Sequence, residues 1–190
     1  MATTEAIPPA PGSRGEPYAR RAMGTIEFAV ADLLAQDVDA IVNPANEALA
    51  HGGGVAGLIA RAAGAELEED SRRIGGCPTG EAVVTRAGAL PQAAVIHAVG
   101  PRWRDGRSGE DLLLAACHRA IVARARERAF AAIALPAFSP GIFGYPAELA
   151  APVAVGALAD ALEDAPGVGL ARFCFINQAT RDLYAAAAGA

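Results

Sequence analysis

Val38-Asp39-Ala40-Ile41-Val42-Asn43-Pro44-Ala45-Asn46 leads, through Glu47 to Ala50, into His51-Gly52-Gly53-Gly54 and then into the apolar-periodic stretch Val55–Ala63. Read locally, this is a short apolar run, a glycine-rich loop and a helix. The run is too unbroken for a strand with one wet face and suits a sheet covered on both sides. Similar runs recur along the chain, at Thr25–Val30, Val38–Val42, Glu81–Thr85, Ala94–Ala98, Ala131–Leu135 and Ala171–Ile176, and each is predicted to be a strand. Between them Val55–Ala63, Leu112–Arg128, Ala147–Leu162 and Ala179–Ala188 carry helical periodicity. Ser108 followed by Asp111 predicts a capping box for the second of these, and Pro146 suits the first turn of the third. Strands interleaved with helices predict a three-layer α/β sandwich whose ligand crevice lies beyond the carboxyl ends of the strands.

A chain of 190 residues, 53% hydrophobic and 19% charged, is expected to build one core. Pro8, Pro9, Pro11, Gly12, Gly15 and Pro17 fall in a stretch with little apolar pattern, so residues 1–22 are expected to be a flexible leader and 23–190 the folded domain. No stretch approaches the roughly 18 apolar residues of a membrane span, and the N-terminus lacks a signal-peptide pattern, so a cytoplasmic protein without membrane attachment is expected. Cys77, Cys117 and Cys174 are an odd number without a C-x-x-C pair, which argues against a disulfide framework or a zinc site. A net charge of -5 opposes broad attachment to nucleic acid. Nothing resembles a coiled-coil seam, so a monomer is expected.

Two glycine-rich loops follow predicted strands and precede helices. The first is that ending in His51-Gly52-Gly53-Gly54; the second is Ser139-Pro140-Gly141-Ile142-Phe143-Gly144. Each can present backbone N–H groups beside a helix N-terminus, which favours negative charge, and two such loops can clamp a diphosphate. The match Gly52-x-Gly54-x-x-Gly57 to a dinucleotide fingerprint fails on position, because nine residues, Asn43 to His51, separate it from Val42. With no lysine anywhere, a P-loop ATPase is excluded.

Val38 to Asn46 and the triple glycine are joined by Arg61-Ala62-Ala63-Gly64, Thr79-Gly80-Glu81-Ala82, Val95-Ile96-His97-Ala98-Val99-Gly100-Pro101 and Pro136-Ala137-Phe138-Ser139-Pro140-Gly141-Ile142-Phe143-Gly144. In this order the motifs resemble the macrodomain (Macro, ADP-ribose-phosphatase-like) family from about Thr25 to Tyr184. The resemblance implies an α/β/α sandwich with a mixed, mostly parallel central sheet, and binding of ADP-ribose or ADP-ribosylated protein without metal or other cofactor. It implies that Asp32 accepts from the adenine amino group, with Leu33 reading the ring through its backbone. Gly53, Gly54 and Val55 match the loop at the proximal phosphate and distal ribose. Ser139, Gly141, Ile142 and Phe143 match the loop around the diphosphate, Phe143 flanking the distal ribose, and Asn177 matches a position near the adenine.

Asn46 is the candidate catalytic residue, since a carboxamide offers donor and acceptor to the distal ribose hydroxyls. Asn43 is expected to brace its loop through a local turn hydrogen bond. His51 either contacts the distal ribose or is an exposed loop histidine, and His97 is expected to be a hydrogen-bonded core residue. MacroD-type hydrolases place an Asp after the glycine loop and a His one turn later; here Ala56 and Ala60 stand instead. The chain resembles the branch reading His-Gly-Gly-Gly-Val-Ala, which holds both hydrolases and readers. The resemblance therefore implies a mono-ADP-ribosyl-protein hydrolase acting on ester-linked Asp or Glu, or an O-acetyl-ADP-ribose deacetylase. The alternative is a non-catalytic ADP-ribose reader, and a nucleotide-dependent oxidoreductase is a distant third.

Overall fold

The computed structural model describes residues 24–138 and 143–189. The expected leader, residues 1–22, lies outside them. Among the described residues, six strands and five helices run in the order β1 (Thr25–Val30), β2 (Ala40–Pro44), α1 (Gly54–Ala63), α2 (Ala65–Ile74), β3 (Ala82–Arg86), β4 (Ala94–Ala98), α3 (Glu110–Glu127), β5 (Ala132–Pro136), α4 (Ala147–Glu163), β6 (Leu170–Phe175) and α5 (Gln178–Ala187). A 3-10 turn, Leu33–Ala35, follows β1. The strands form one sheet in the order β1-β6-β5-β2-β4-β3. All neighbours are parallel except β3, which runs antiparallel beside β4.

Side chains alternate across a strand, and here both faces are apolar. Ala40, Val42, Ile96, Ile133, Leu135 and Phe173 point into a core closed by α3, α4 and α5. Ile41, Val95, Ala134 and Cys174 point the other way, against Ile59, Ala60 and Ala63 of α1 and Leu67 of α2. This is the expected three-layer α/β/α sandwich. Cys77, Cys117 and Cys174 are free and buried within it.

Three local readings are corrected. Helix α2 was not expected, because its sequence offers a single fully buried apolar anchor, Leu67. Its signals are electrostatic: Glu66 and Glu68 in the first turn, Arg72 and Arg73 in the last, and Gly75 in the left-handed C-cap at φ 83°. Asp70 on its inner face then accepts from the Arg86 amide at 3.0 Å and from both Nε and Nη2 of that guanidinium, which fastens α2 to β3. Second, the Ser108–Asp111 capping box does not form. Helix α3 starts earlier, at Glu110, behind Gly109 at φ 77°, and no side chain caps it. Glu110 itself gathers the preceding loop by accepting from the amides of Arg104, Asp105 and Ser108. Third, β2 begins at Ala40, two residues later than the apolar run suggests. Asp39 is outside the strand and its carboxylate accepts from the amides of Ala131 and Ala132, which sets the start of β5.

Candidate functional site

Because β1, β6, β5, β2 and β4 are parallel, their carboxyl ends open onto one edge of the sheet, and the loops that follow them form a single row. At one end of the row Val30 pairs with Phe175, and the Ala31 amide donates to the Phe175 carbonyl at 3.2 Å. Asp32 and Asn177, the expected adenine-side residues, therefore leave neighbouring strands. Asp32 is exposed and caps the 3-10 turn, its Oδ1 accepting from the Leu34 amide at 2.9 Å. Leu33 turns inward and is buried. Asn177 caps α5 by accepting from the Thr180 amide at 2.9 Å.

In the middle of the row, the loop after β2 is folded around one side chain. The Asn46 carboxamide donates to the Ala50 carbonyl at 2.8 Å and accepts from the Ala50 amide at 3.0 Å. That clasp lets buried Leu49 sit at φ 53° and delivers His51 and the glycines to the start of α1. Gly53 is the N-cap of α1 and Gly54 opens the helix at φ 57°, a conformation only glycine takes without strain. No side chain caps this helix and no acidic residue lies in its first turn. Val55 is half-buried against the core beside α1.

Beneath the loop lies a row of polar groups. His51 Nε2 is 3.0 Å from Ser71 Oγ of α2, so the unforeseen helix anchors the glycine loop. Burial lowers the His51 pKa, Glu68 working weakly against it. His51 is thus neither freely exposed nor aimed at solvent. The His97 ring lies 5.3 Å from it, fully buried, with Asn43 Nδ2 donating to its Nδ1 at 3.0 Å and Thr85 Oγ1 2.8 Å from its Nε2. Thr85 donates its own hydroxyl proton to the Arg86 carbonyl, so the His97 proton sits on Nε2. Burial, with His51 adding to it, holds the His97 pKa down at about 3. His97 is a neutral core residue, as expected, whereas Asn43 departs from expectation. It is an interior strand residue bonded across to β4 rather than to a local turn, because β2 extends through Pro44.

At the other end of the row a cavity of about 660 Å³ opens, lined by Asn46, Thr79, Arg102, Arg104, Glu110 and Phe143 among others. Phe143 is half-buried, and its carbonyl accepts from the Trp103 amide at 2.8 Å. Ser139, Gly141 and Ile142 lie outside the described residues. No group of three or more His, Cys, Asp or Glu that could hold a metal occurs among those described.

This edge can be set beside known proteins. The family model described as Macro domain matches residues 42–154. The chain belongs to the macro domain family. A macro domain-containing protein of Chlorobaculum tepidum is 46% identical over 154 residues, 81% of this chain and 90% of that one. A protein of Escherichia fergusonii named O-acetyl-ADP-ribose deacetylase is 47% identical over 133 residues, 68% of this chain and 75% of its own. Among solved structures, the Oceanobacillus iheyensis macrodomain with ADP superposes with a TM-score of 0.82 at 31% identity, covering 89% of this chain and 92% of that one. A variant of the same macrodomain with ADPR superposes with a TM-score of 0.80 at 30% identity, covering 89% and 94%.

In this macro domain Ala56 and Ala60 are buried on α1, so the helix facing the glycine loop offers neither carboxylate nor imidazole there. The two carboxylates lining the cavity are already engaged. Glu47 accepts from the Thr79 amide and hydroxyl, at 3.2 and 2.7 Å. For Glu110, burial works against ionisation, but the amides of Glu110, Asp105, Ser108 and Arg104 outweigh it and bring the pKa to about 2. Sequence reasoning did not single out Arg102, Arg104, Glu47 or Glu110. The signal for the arginines was their position directly after Val99-Gly100-Pro101, at the end of a parallel strand.

Proposed function

We propose that this macro domain binds ADP-ribose along the carboxyl edge of its sheet and hydrolyses ester-linked ADP-ribose, releasing it from Asp or Glu side chains or releasing acetate from O-acetyl-ADP-ribose. In this reading Asp32 accepts from the adenine amino group, Leu33 and Asn177 border the base, and the uncapped start of α1 with Gly53, Gly54 and Val55 holds phosphate. Ser139, Gly141 and Ile142 complete the diphosphate clamp, Phe143 flanks the distal ribose, and the protein works as a cytoplasmic monomer. The observation that carries the reading is the placement of exposed Asp32 and the uncapped glycine start of α1 on one edge, in a chain 47% identical to a relative named as a deacetylase of O-acetyl-ADP-ribose.

Asn46 is the proposed catalytic residue. Its carboxamide is committed to Ala50, but an amide has two N–H groups and an oxygen with two lone pairs, so one N–H and one lone pair are left for a ribose hydroxyl or a water. With an Asp- or Glu-linked substrate water attacks the anomeric carbon, the bond from that carbon to the ester oxygen breaks, the carboxylate leaves without strong acid assistance, and the water's proton passes to the substrate's phosphate or to solvent. With O-acetyl-ADP-ribose water attacks the acetyl carbonyl and the ribose oxygen leaves, taking up the proton. Rate enhancement then comes from positioning the water with Asn46, the glycine loop and the substrate's own phosphate.

A reader without catalysis is the second reading, and two features favour it: Ala56 and Ala60 are apolar, and both cavity carboxylates are engaged. Incubating Glu-linked ADP-ribosyl protein with a catalytic amount of the chain separates the two. Multiple-turnover loss of label supports the hydrolase. Retention of all label, with intact binding of free ADP-ribose, leaves the reader.

A further inference from the structure

Arg102 and Arg104, in the loop between β4 and α3, are not used by the proposed hydrolysis. Both are exposed, both line the cavity that Asn46 and Phe143 share, and neither side chain has a hydrogen bond or ion pair among the described residues. Trp103 between them does not line the cavity; its ring packs on Tyr145 with centroids 4.5 Å apart. The alternation is held in place at two points. The Trp103 amide is tied to Phe143, and the Arg104 amide to the Glu110 carboxylate.

Neither cavity carboxylate is paired with these guanidinium groups. Glu47 serves Thr79, and Glu110 serves three backbone amides. The two arginines and two carboxylates of the cavity balance in formal charge, but the carboxylates are turned to Thr79 and to backbone amides while both guanidinium groups are unpaired among the described residues, so the groups left to meet a ligand are cationic. The cavity's volume, about 660 Å³, is also far more than an acetyl group fills. Exposed, unpaired guanidinium groups at the mouth of such a cavity suit carboxylates, which they can take in bidentate fashion.

We propose that this cavity receives the polypeptide attached to the ribose, and that Arg102 and Arg104 select a segment with acidic residues beside the modified one. This rests on the reading that ADP-ribose occupies the neighbouring edge with its distal ribose at Asn46. A peptide is favoured over nucleic acid because the positive charge is confined to two side chains and the Trp103 ring is packed against Tyr145 rather than offered to a base.

The test is calorimetric titration with two hydrolysis-resistant ADP-ribosyl peptides, one flanked by Asp and Glu and one by Ser and Gly, and with free ADP-ribose. The unaltered chain is expected to bind the acidic peptide about tenfold more tightly than the neutral one at low salt. The doubly substituted Arg102→Ala, Arg104→Ala protein should lose that preference while keeping its affinity for free ADP-ribose and its melting temperature. Equal affinities for the two peptides, or a preference that survives the double substitution, overturns the proposal. A single-stranded oligonucleotide that displaces the acidic peptide as well as unlabelled acidic peptide does overturns the choice of polypeptide. If free ADP-ribose does not bind the unaltered chain, the underlying reading of the edge fails and this one with it. Normal ADP-ribose binding without peptide discrimination removes this proposal alone.

Discussion

The Trp103 amide donates to the Phe143 carbonyl at 2.8 Å while the Trp103 ring lies 4.5 Å from that of Tyr145, so the loops after β4 and β5 are joined at the mouth of the cavity. Tyr145 is itself buried, and its hydrogen-bonded neighbour loop is held from the other side by Glu110. The two loops are consequently tied to each other beside Phe143. Trp103→Ala should cost about 2–4 kcal/mol of stability through lost packing and weaken ADP-ribose binding by loosening Phe143. Trp103→Phe should recover most of both. Urea unfolding and calorimetry on the pair check this; a weakened affinity with no loss of stability would place the effect elsewhere.

For Asn46→Ala the expected loss lies in rate. Most binding contacts in this account come from the adenine corner and the backbone loops, so affinity for ADP-ribose should fall by under about 1 kcal/mol. The rate constant should fall by about 10²-fold, since a residue acting at the reacting end affects the transition state most. The clasp on Ala50 means that a misplaced glycine loop contributes to that loss. Ala56→Asp is the companion test. It adds a carboxylate in the first turn of α1, where the helix dipole favours it, and should raise the rate if the missing base limits turnover. Unchanged hydrolysis in Asn46→Ala sinks the assignment.

Acid should destabilise this fold through its buried imidazoles. Burial holds His97 at about 3 and His118, a fully buried residue of α3, at about 4, both well below the ordinary histidine value, so each is neutral in the folded chain. The unfolded chain takes up these protons as pH drops below about 6.5, whereas the folded chain resists until far lower. The stability from keeping each ring neutral is thus fully present above the unfolded pKa. It is lost as pH falls toward the folded value, by up to about 1.4 kcal/mol per pH unit for each histidine. Glu110 adds to the loss below its unfolded pKa, because its folded value is depressed to about 2. Denaturation midpoints between pH 7 and pH 4 check the slope, and His97→Gln should flatten it. A flat profile in the unaltered chain would contradict the buried, neutral assignment.

How much of this was legible in sequence depended on what each element is made of. Strands β1 to β6 and helices α1, α3, α4 and α5 announce themselves through apolar runs and periodicity, and their boundaries shift by only a residue or two where a side chain such as Asp39 or Glu110 intervenes. Helix α2 does not announce itself, because Asp70 and Ser71 do inside the fold what apolar residues usually do, each bonded to a partner distant in the chain. Asn43 reads as a turn residue beside Pro44, yet its partner His97 is 54 residues away, on a strand whose adjacency follows from sheet order alone. The positions of Asp32, Asn46 and the first glycine loop beyond strand ends were legible because each follows its strand closely in the chain. The cavity walls were not, since they meet only where β4, β5 and α3 are brought together.

We propose above all that this edge binds ADP-ribose with Asp32 at the adenine. Calorimetric titration of ADP-ribose into the unaltered chain, Asp32→Ala and Asp32→Ser tests it most directly. Serine keeps an acceptor for the Leu34 amide and so preserves the 3-10 cap, which separates loss of the ligand contact from loss of local structure. One saturable site is expected in the unaltered chain, with affinity weakened by about 1–3 kcal/mol, roughly 5- to 150-fold, in both folded variants. Absence of ADP-ribose binding by the unaltered chain, or folded Asp32 variants that bind as tightly as it does, would contradict the account.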